Sequence, residues 1–104
     1  PNSYSIESLK DEIINLPEYN LISSFPNPFN SSTTINYNLS ESSIINLSIY
    51  DLQGKLVKNL IDNKFMSIGS YSIVWKEETL PSGIYIINLS NDNLSISTKV
   101  ILVK

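Results

Sequence analysis

The stretch LPSGIYIINLSNDNLSISTKVILVK, residues 80–104, decides the fold class. Tyr85, Ile87 and Leu89 alternate with Ile84, Ile86 and Asn88. Beyond Asn91-Asp92-Asn93, the set Leu94, Ile96, Thr98, Val100 and Leu102 alternates in the same way. A period of two sends successive side chains to opposite faces, so each run reads as a strand with one face inward. Pro81-Ser82-Gly83 and Asn91-Asp92-Asn93 are the turn signals that bound them.

The same period runs back to Tyr19. Ile35, Tyr37 and Leu39 share a phase, as do Ile45, Leu47 and Ile49, and Tyr71, Ile73 and Trp75. Ser40-Glu41-Ser42-Ser43, Gln53-Gly54 and Ile68-Gly69-Ser70 separate them. With YNLISS (19–24) and KLVKNLI (55–61) the count reaches about seven short strands in roughly 85 residues, which predicts an all-β fold, a two-sheet antiparallel sandwich, with a small barrel as the competing closure. Trp75, the single Trp, has the inward phase and supplies the one large filler such a core needs. Tyr85 follows Pro81 by four residues, the spacing of a tyrosine corner in which the phenol bonds to backbone upstream; ordinary core packing is the alternative.

Composition excludes more than it assigns. There are 104 residues, enough for one core. Ile (16), Ser (18) and Asn (13) dominate, and Cys, His, Arg and Ala do not occur. Without Cys there are no disulfides or thiolate metal sites. Without His or Cys, nucleophilic catalysis is left with a Ser–Lys pair, and the serines fall on outward faces and in turns. Asp11-Glu12 and Glu77-Glu78 read as solvated surface. No calcium loop and no phosphate-binding glycine loop is present. The chain therefore reads as a non-enzyme with no cofactor and no metal. The net charge of −3 sits in residues 1–18, where Glu7, Asp11, Glu12 and Glu18 face only Lys10. Residues 19–104 hold six acids and six lysines, so no basic patch exists for nucleic acid. No apolar run spans a membrane, and Pro1-Asn2-Ser3-Tyr4 does not open a signal peptide. Five Asn-x-Ser sequons, at Asn30, Asn38, Asn46, Asn88 and Asn93, are a small excess over chance among so many Asn and Ser.

Two domains of unequal weight follow. Residues 1–16 read as an acidic linker or a short helix: Ile6, Leu9 and Ile13 fall on one helical face, and Pro17 stops the run. Residues 17–104 are the sandwich. Between its first two strands lies FPNPFN (25–30). Pro26 and Pro28 fix φ, remove two backbone donors and push Phe25 and Asn27 out of the helical region. The stretch is thus extended or turned and belongs at a sheet edge or a crossing between sheets, with Phe25 and Phe29 expected to anchor it to the core.

Five blocks in series, FPNPFNSSTTINYNL, LSIYDLQGKLVKNL, GSYSIVW, LPSGIYIINL and STKVILVK, give the chain a resemblance over about residues 17–104. They resemble the type A C-terminal sorting domain of the type IX secretion system of Bacteroidetes-like bacteria. The resemblance implies an immunoglobulin-like sandwich whose role is an address. It carries a passenger across the outer membrane, meets a translocon and an outer-membrane shuttle barrel, and is removed by a sortase. It also implies periplasmic transit, then the cell surface or the medium. Its motif positions fall on Pro26, Asn27, Pro28, Phe29 and Asn30; on Tyr50, Asp51, Gly54 and Val57; on Gly69 and Trp75; on Pro81, Ser82, Gly83 and Tyr85; and on Lys99 and Lys104. We expect Pro26, Asn27, Pro28, Phe29, Asn30, Tyr50, Asp51, Gly54, Gly69 and Trp75 to set the fold, Gly54 and Gly83 to supply turn geometry, and Phe29 to pack. The signal role we assign to Lys99, Val100, Ile101, Leu102, Val103 and Lys104, with Pro81, Gly83 and Tyr85. Three departures stand out: Phe25 replaces the usual Tyr, Ser31 replaces Pro, and Lys76-Glu77-Glu78-Thr79-Leu80 replaces the Asp/Asn-Gly turn that follows Trp, so the turn after Trp75 is left unspecified. A cleavage site would lie in or near residues 1–18. The alternative is a structural or adhesive sandwich module, such as a hook-cap-like domain or a filament subunit; a carbohydrate-binding module would require an exposed aromatic row.

Overall fold

The chain forms seven strands, and most of them alternate where the sequence alternates. The computed structural model describes residues 21–104, so the expected linker or helix at 1–16 lies outside the described residues. The strands are β1 (Leu21–Phe25), β2 (Ser32–Leu39), β3 (Ser43–Tyr50), β4 (Leu56–Met66), β5 (Gly69–Lys76), β6 (Gly83–Ser90) and β7 (Ser95–Leu102). They form two antiparallel sheets, one ordered β1-β2-β5 and the other β4-β3-β6-β7. Among the described residues no helix is long and apolar enough to cross a membrane.

The inward phases meet in one core. Ile35, Tyr37, Leu39, Ile45, Leu47, Ile49, Trp75, Tyr85, Ile87, Leu89, Val100 and Leu102 are all buried, together with Phe29 from the loop between β1 and β2. Tyr71 and Ile73 pack against this cluster with partial exposure. Trp75 is the centre of an aromatic row. Its ring lies 5.1 Å from Phe29 at a tilted angle and 6.2 Å from Tyr85 edge-on. Such contacts add about 0.5–1.5 kcal/mol each to the area they bury.

β4 does not follow the period. Its pairing with β3 shifts register between Ile45 and Leu47, between Leu47 and Ser48, and between Ile49 and Tyr50. Each shift adds a residue on the β4 side, a β-bulge. The bulges let Val57, Leu60 and Ile61 all reach the core, which strict alternation forbids. At the first bulge Asn63 takes a positive φ of 48°, and the Asn46 carboxamide holds it, accepting from the Asn63 N–H at 3.0 Å.

The turn after Trp75 exists, and Glu77 makes it. Glu77 is buried, a correction to its reading as solvated surface, whereas Glu78 is exposed. One carboxylate oxygen accepts from the Trp75 indole N–H at 3.2 Å. The other accepts from the Thr79 N–H at 3.2 Å, the Thr79 hydroxyl at 2.9 Å and the Leu80 N–H at 3.2 Å. A side chain thereby supplies the acceptors for this turn's backbone N–H groups. Burial alone would push the Glu77 carboxyl up; the hydrogen bonds from Thr79, Leu80 and Trp75 outweigh it and hold the group below its ordinary value.

Candidate functional site

Pro26 and Pro28 leave no N–H on either side of Asn27, so the backbone here cannot form an ordinary ladder, and the side chain takes its place. The Asn27 carboxamide donates to the Lys99 carbonyl at 3.1 Å and accepts from the Ile101 N–H at 2.9 Å. It thus acts as a substitute peptide group on the outer edge of β7. The real backbone takes over two residues later. Phe29 N–H donates to the Ile101 carbonyl at 2.9 Å, and Val103 N–H donates to the Phe29 carbonyl at 2.8 Å. Asn30 Nδ2 then donates to the Val103 carbonyl at 3.1 Å. Phe29 and Leu102 form a parallel bridge. The peptide bonds before Pro26 and before Pro28 are both cis.

The stretch 26–30 is therefore an edge cover for the end of the last strand. An uncovered strand edge invites pairing with other chains, and covering it with a loop is a known remedy. The loop is tied at both ends: the Thr33 hydroxyl donates to the Pro26 carbonyl at 2.7 Å, and the Glu77 N–H donates to the Ser31 carbonyl at 2.8 Å. Phe29 anchors it, at 2% exposure. Phe25 does not: it is 76% exposed, on the outward phase of β1 opposite Thr34. An alternating strand cannot turn Ser24 toward the core side and Phe25 as well, which corrects the expected pair of anchors.

A second block meets the same end. Ser82 Oγ accepts from the Lys104 N–H at 2.8 Å. The Tyr85 hydroxyl donates to the Pro81 carbonyl at 2.7 Å, which is the corner its spacing predicted. Burial first, then the carboxylates of Glu77 and Asp51, push the Tyr85 hydroxyl above its ordinary pKa, so it stays a donor. Gly83 adopts no positive φ, and a Cβ there would meet the Tyr85 ring only at 3.9 Å. The turn therefore does not demand glycine, contrary to expectation. Gly54 does demand it, with φ of 84°, in a turn that the Asp51 carboxylate organises by accepting from the N–H groups of Gln53 and Lys55, each at 2.9 Å.

The result is one assembled end of the sandwich. Pro26 to Asn30, Trp75, Pro81 to Tyr85 and Lys99 to Lys104 all touch one another there directly or through Trp75. Tyr50, Asp51 and Gly54 lie beside them, with Asp51 sharing a groove wall with Pro81 and Gly83. Gly69 stands apart: it pairs with Leu39 at the opposite end and has φ of 150°, which glycine tolerates. Within residues 99–104 the strand period sorts the side chains. Val100 and Leu102 are in the core, whereas Lys99, Val103 and Lys104 are exposed and Ile101 is half-buried. Up to Leu102, where β7 ends, only alternate residues of this segment face outward.

Sequence reasoning missed two features here. The side chains of Asn27 and Asn30 reach partners more than seventy positions away, for which no local pattern exists. A second tyrosine corner had a signal. The Tyr71 hydroxyl donates to the Ser67 carbonyl at 2.7 Å, and Ser67-Ile68-Gly69-Ser70-Tyr71 repeats the Gly-x-Tyr spacing of Pro81-Ser82-Gly83-Ile84-Tyr85. Among the described residues no cluster of three or more His, Cys, Asp or Glu could hold a metal ion.

The family model described as "Secretion system C-terminal sorting domain" matches residues 23–104, which include every strand but the first two residues of β1. Neither a curated protein nor a solved structure matches the chain significantly.

Proposed function

The chain belongs to the family of secretion system C-terminal sorting domains, and from that premise we propose that the assembled end of the sandwich is the part the export machinery reads. Domains of this family are sorting signals for type IX secretion, an address to the cell surface or the medium, and the family is not an enzyme family. The proposed reading goes further. A passenger joined ahead of the sandwich crosses the periplasm, and Lys99, Ile101, Val103 and Lys104 are offered to the translocon, with an outer-membrane shuttle barrel and a sortase acting afterwards. Pro81 and Gly83 belong to the same offered surface, whereas Tyr85, expected there too, is buried and holds the Pro81 carbonyl from beneath.

One observation supports this above the others. The edge of β7 from Lys99 to Val103 is held by Asn27, Phe29 and Asn30, and the Lys104 N–H is held by Ser82. The segment is thus presented in a fixed geometry, in which binding costs little ordering.

The test is a reporter fused ahead of the full 104-residue chain, produced in a host that carries the secretion system. Val103→Asp and Lys104→Glu change outward side chains and leave Val100 and Leu102 in the core. Export of the wild-type fusion, and its accumulation in the periplasm for both variants, is the expected result. A wild-type fusion that stays in the periplasm, or variants exported like wild type, would refute it.

A further inference from the structure

The outward face of the β4-β3-β6-β7 sheet changes character along its length, beyond the exposed pair of Ile44 and Phe65 at its far end. Near the β6–β7 turn it is polar: Ser48, Asn88 and Ser97 lie in one row, and Asn88 Nδ2 donates to the Ser97 hydroxyl at 2.8 Å. One row toward the end that holds residues 99–104, it becomes apolar. Leu56 pairs with Tyr50, Tyr50 with Ile86, and Ile86 with Lys99. Ile84 and Ile101 form the next row, and Leu52, from the turn after β3, lines a groove together with Ile84. Leu52 is 62% exposed, Leu56 50% and Ile84 37%. Contiguous exposed aliphatic side chains on a small domain mark a binding surface far more often than isolated ones do.

The surface has relief as well as composition. A groove of about 440 Å³ runs between the 51–55 turn and the 80–84 turn, floored by Val57 and Tyr85. A second, of about 370 Å³, lies on the sheet face between Tyr50, Leu52 and Ile86. They share the Asp51-Leu52 corner, so Leu52 stands as a ridge between two depressions. Three lysines and one carboxylate, Asp51, stand around them. Lys55, Lys99 and Lys104 are exposed at the rim, while the Asp51 carboxylate is engaged by the N–H groups of its own turn.

We infer that this face is a docking surface for a protein of the export apparatus that presents an aliphatic ridge flanked by carboxylates. The inference rests on the reading of the domain as an export signal and extends it from the end of β7 to the sheet face beside it. Aliphatic residues of the partner fill the two grooves on either side of Leu52, and its carboxylates meet Lys55, Lys99 and Lys104. The steric fit gives affinity, and the charges set the approach and exclude basic partners.

Export of the reporter fused ahead of the full chain tests this with variants outside residues 99–104. Leu52→Asp and Leu56→Glu each place a carboxylate in the apolar contact, and Lys55→Glu places one opposite the partner's own. Each lowers the rate of export about tenfold or more, because an unpaired charge in an apolar contact costs over one decade of affinity. All three positions are exposed, so thermal unfolding of the purified domain stays at the wild-type value. Phe65→Asp, at the far end of the same sheet and 63% exposed, leaves export unchanged. Export of all three face variants at the wild-type rate overturns the inference while the export reading stands; a wild-type fusion that is not exported removes the reading itself. A basic-rimmed apolar face could also meet an anionic bilayer. Flotation of the purified domain with phosphatidylethanolamine–phosphatidylglycerol vesicles, lost in Leu52→Asp, would likewise overturn the protein partner.

Discussion

Replacing Glu77 should come close to unfolding the domain, and the route can be followed bond by bond. Glu77→Ala removes the acceptor that the Trp75 indole N–H uses among the described residues, and Trp75 is 0% exposed. A buried donor left unpaired costs about 1–3 kcal/mol. The same change strips three further bonds from the turn, two to N–H groups and one to the Thr79 hydroxyl. These sit nearer solvent and can be partly rehydrated, so they contribute at the low end of about 0.5–1.5 kcal/mol each. The sum is about 2.5–4.5 kcal/mol, against a total of about 5–15 kcal/mol for a domain of this size. Urea denaturation at neutral pH measures it directly, and a loss of 3 kcal/mol lowers the melting temperature by at least about 12 °C. Glu77→Gln is gentler, at about 1–3 kcal/mol, since its amide nitrogen must face a donor whichever way it is turned. pH separates the charge from the packing. Because the folded carboxyl titrates below its ordinary value of 4.5, its contribution is complete above that value and is lost as pH falls through the folded pKa. The gap between wild type and Glu77→Gln therefore narrows on going from neutral pH to about pH 3. A gap that stays constant over that range, or a Glu77→Ala cost under about 1 kcal/mol, would refute the reasoning.

Two further outcomes follow from the hydrogen bonds. Asn27→Ala deletes the substitute peptide group and costs about 1–2 kcal/mol, with faster amide exchange at Ile101 by NMR; an unchanged Ile101 rate would show that Asn27 does not hold this edge. Tyr71→Phe and Tyr85→Phe each lose one bond to a carbonyl, about 1 kcal/mol or roughly 4–8 °C in melting temperature. The two corners share no hydrogen-bond partner, so the double variant should lose the sum to within about 0.5 kcal/mol, and a clear departure would mean that the corners communicate.

How far the sequence could be read differs from residue to residue. The inward sets of β2, β3, β6 and β7 were legible because each has one face in the core and a period of two leaves no freedom. β4 was legible only as a strand. Val57, Leu60 and Ile61 have a spacing that fits neither face of a regular strand, and three bulges reconcile it. Glu77 was misread because adjacent acids look alike, and what distinguishes this one is a Trp two residues earlier whose N–H needs an acceptor. Phe25 was misread because a large apolar residue beside a proline looks like an anchor, whereas strand phase turned it outward. At the assembled end, the corner of Pro81 and Tyr85 could be inferred from local spacing. The grip of Asn27 on β7 could not, since it depends on how two distant segments come together.

That grip also imposes an order in time. Asn27 and its partner Lys99 are separated by 72 positions, and Val100 and Leu102 complete the core. At a synthesis rate of 5–20 residues per second, Asn27 leaves the ribosome about 4–14 s before the residues that satisfy it. During that interval β1 and β2 can pair, but the edge cover has nothing to cover. A passenger joined ahead of the chain, as the proposed function has it, would gain at least this head start before the sandwich closes behind it.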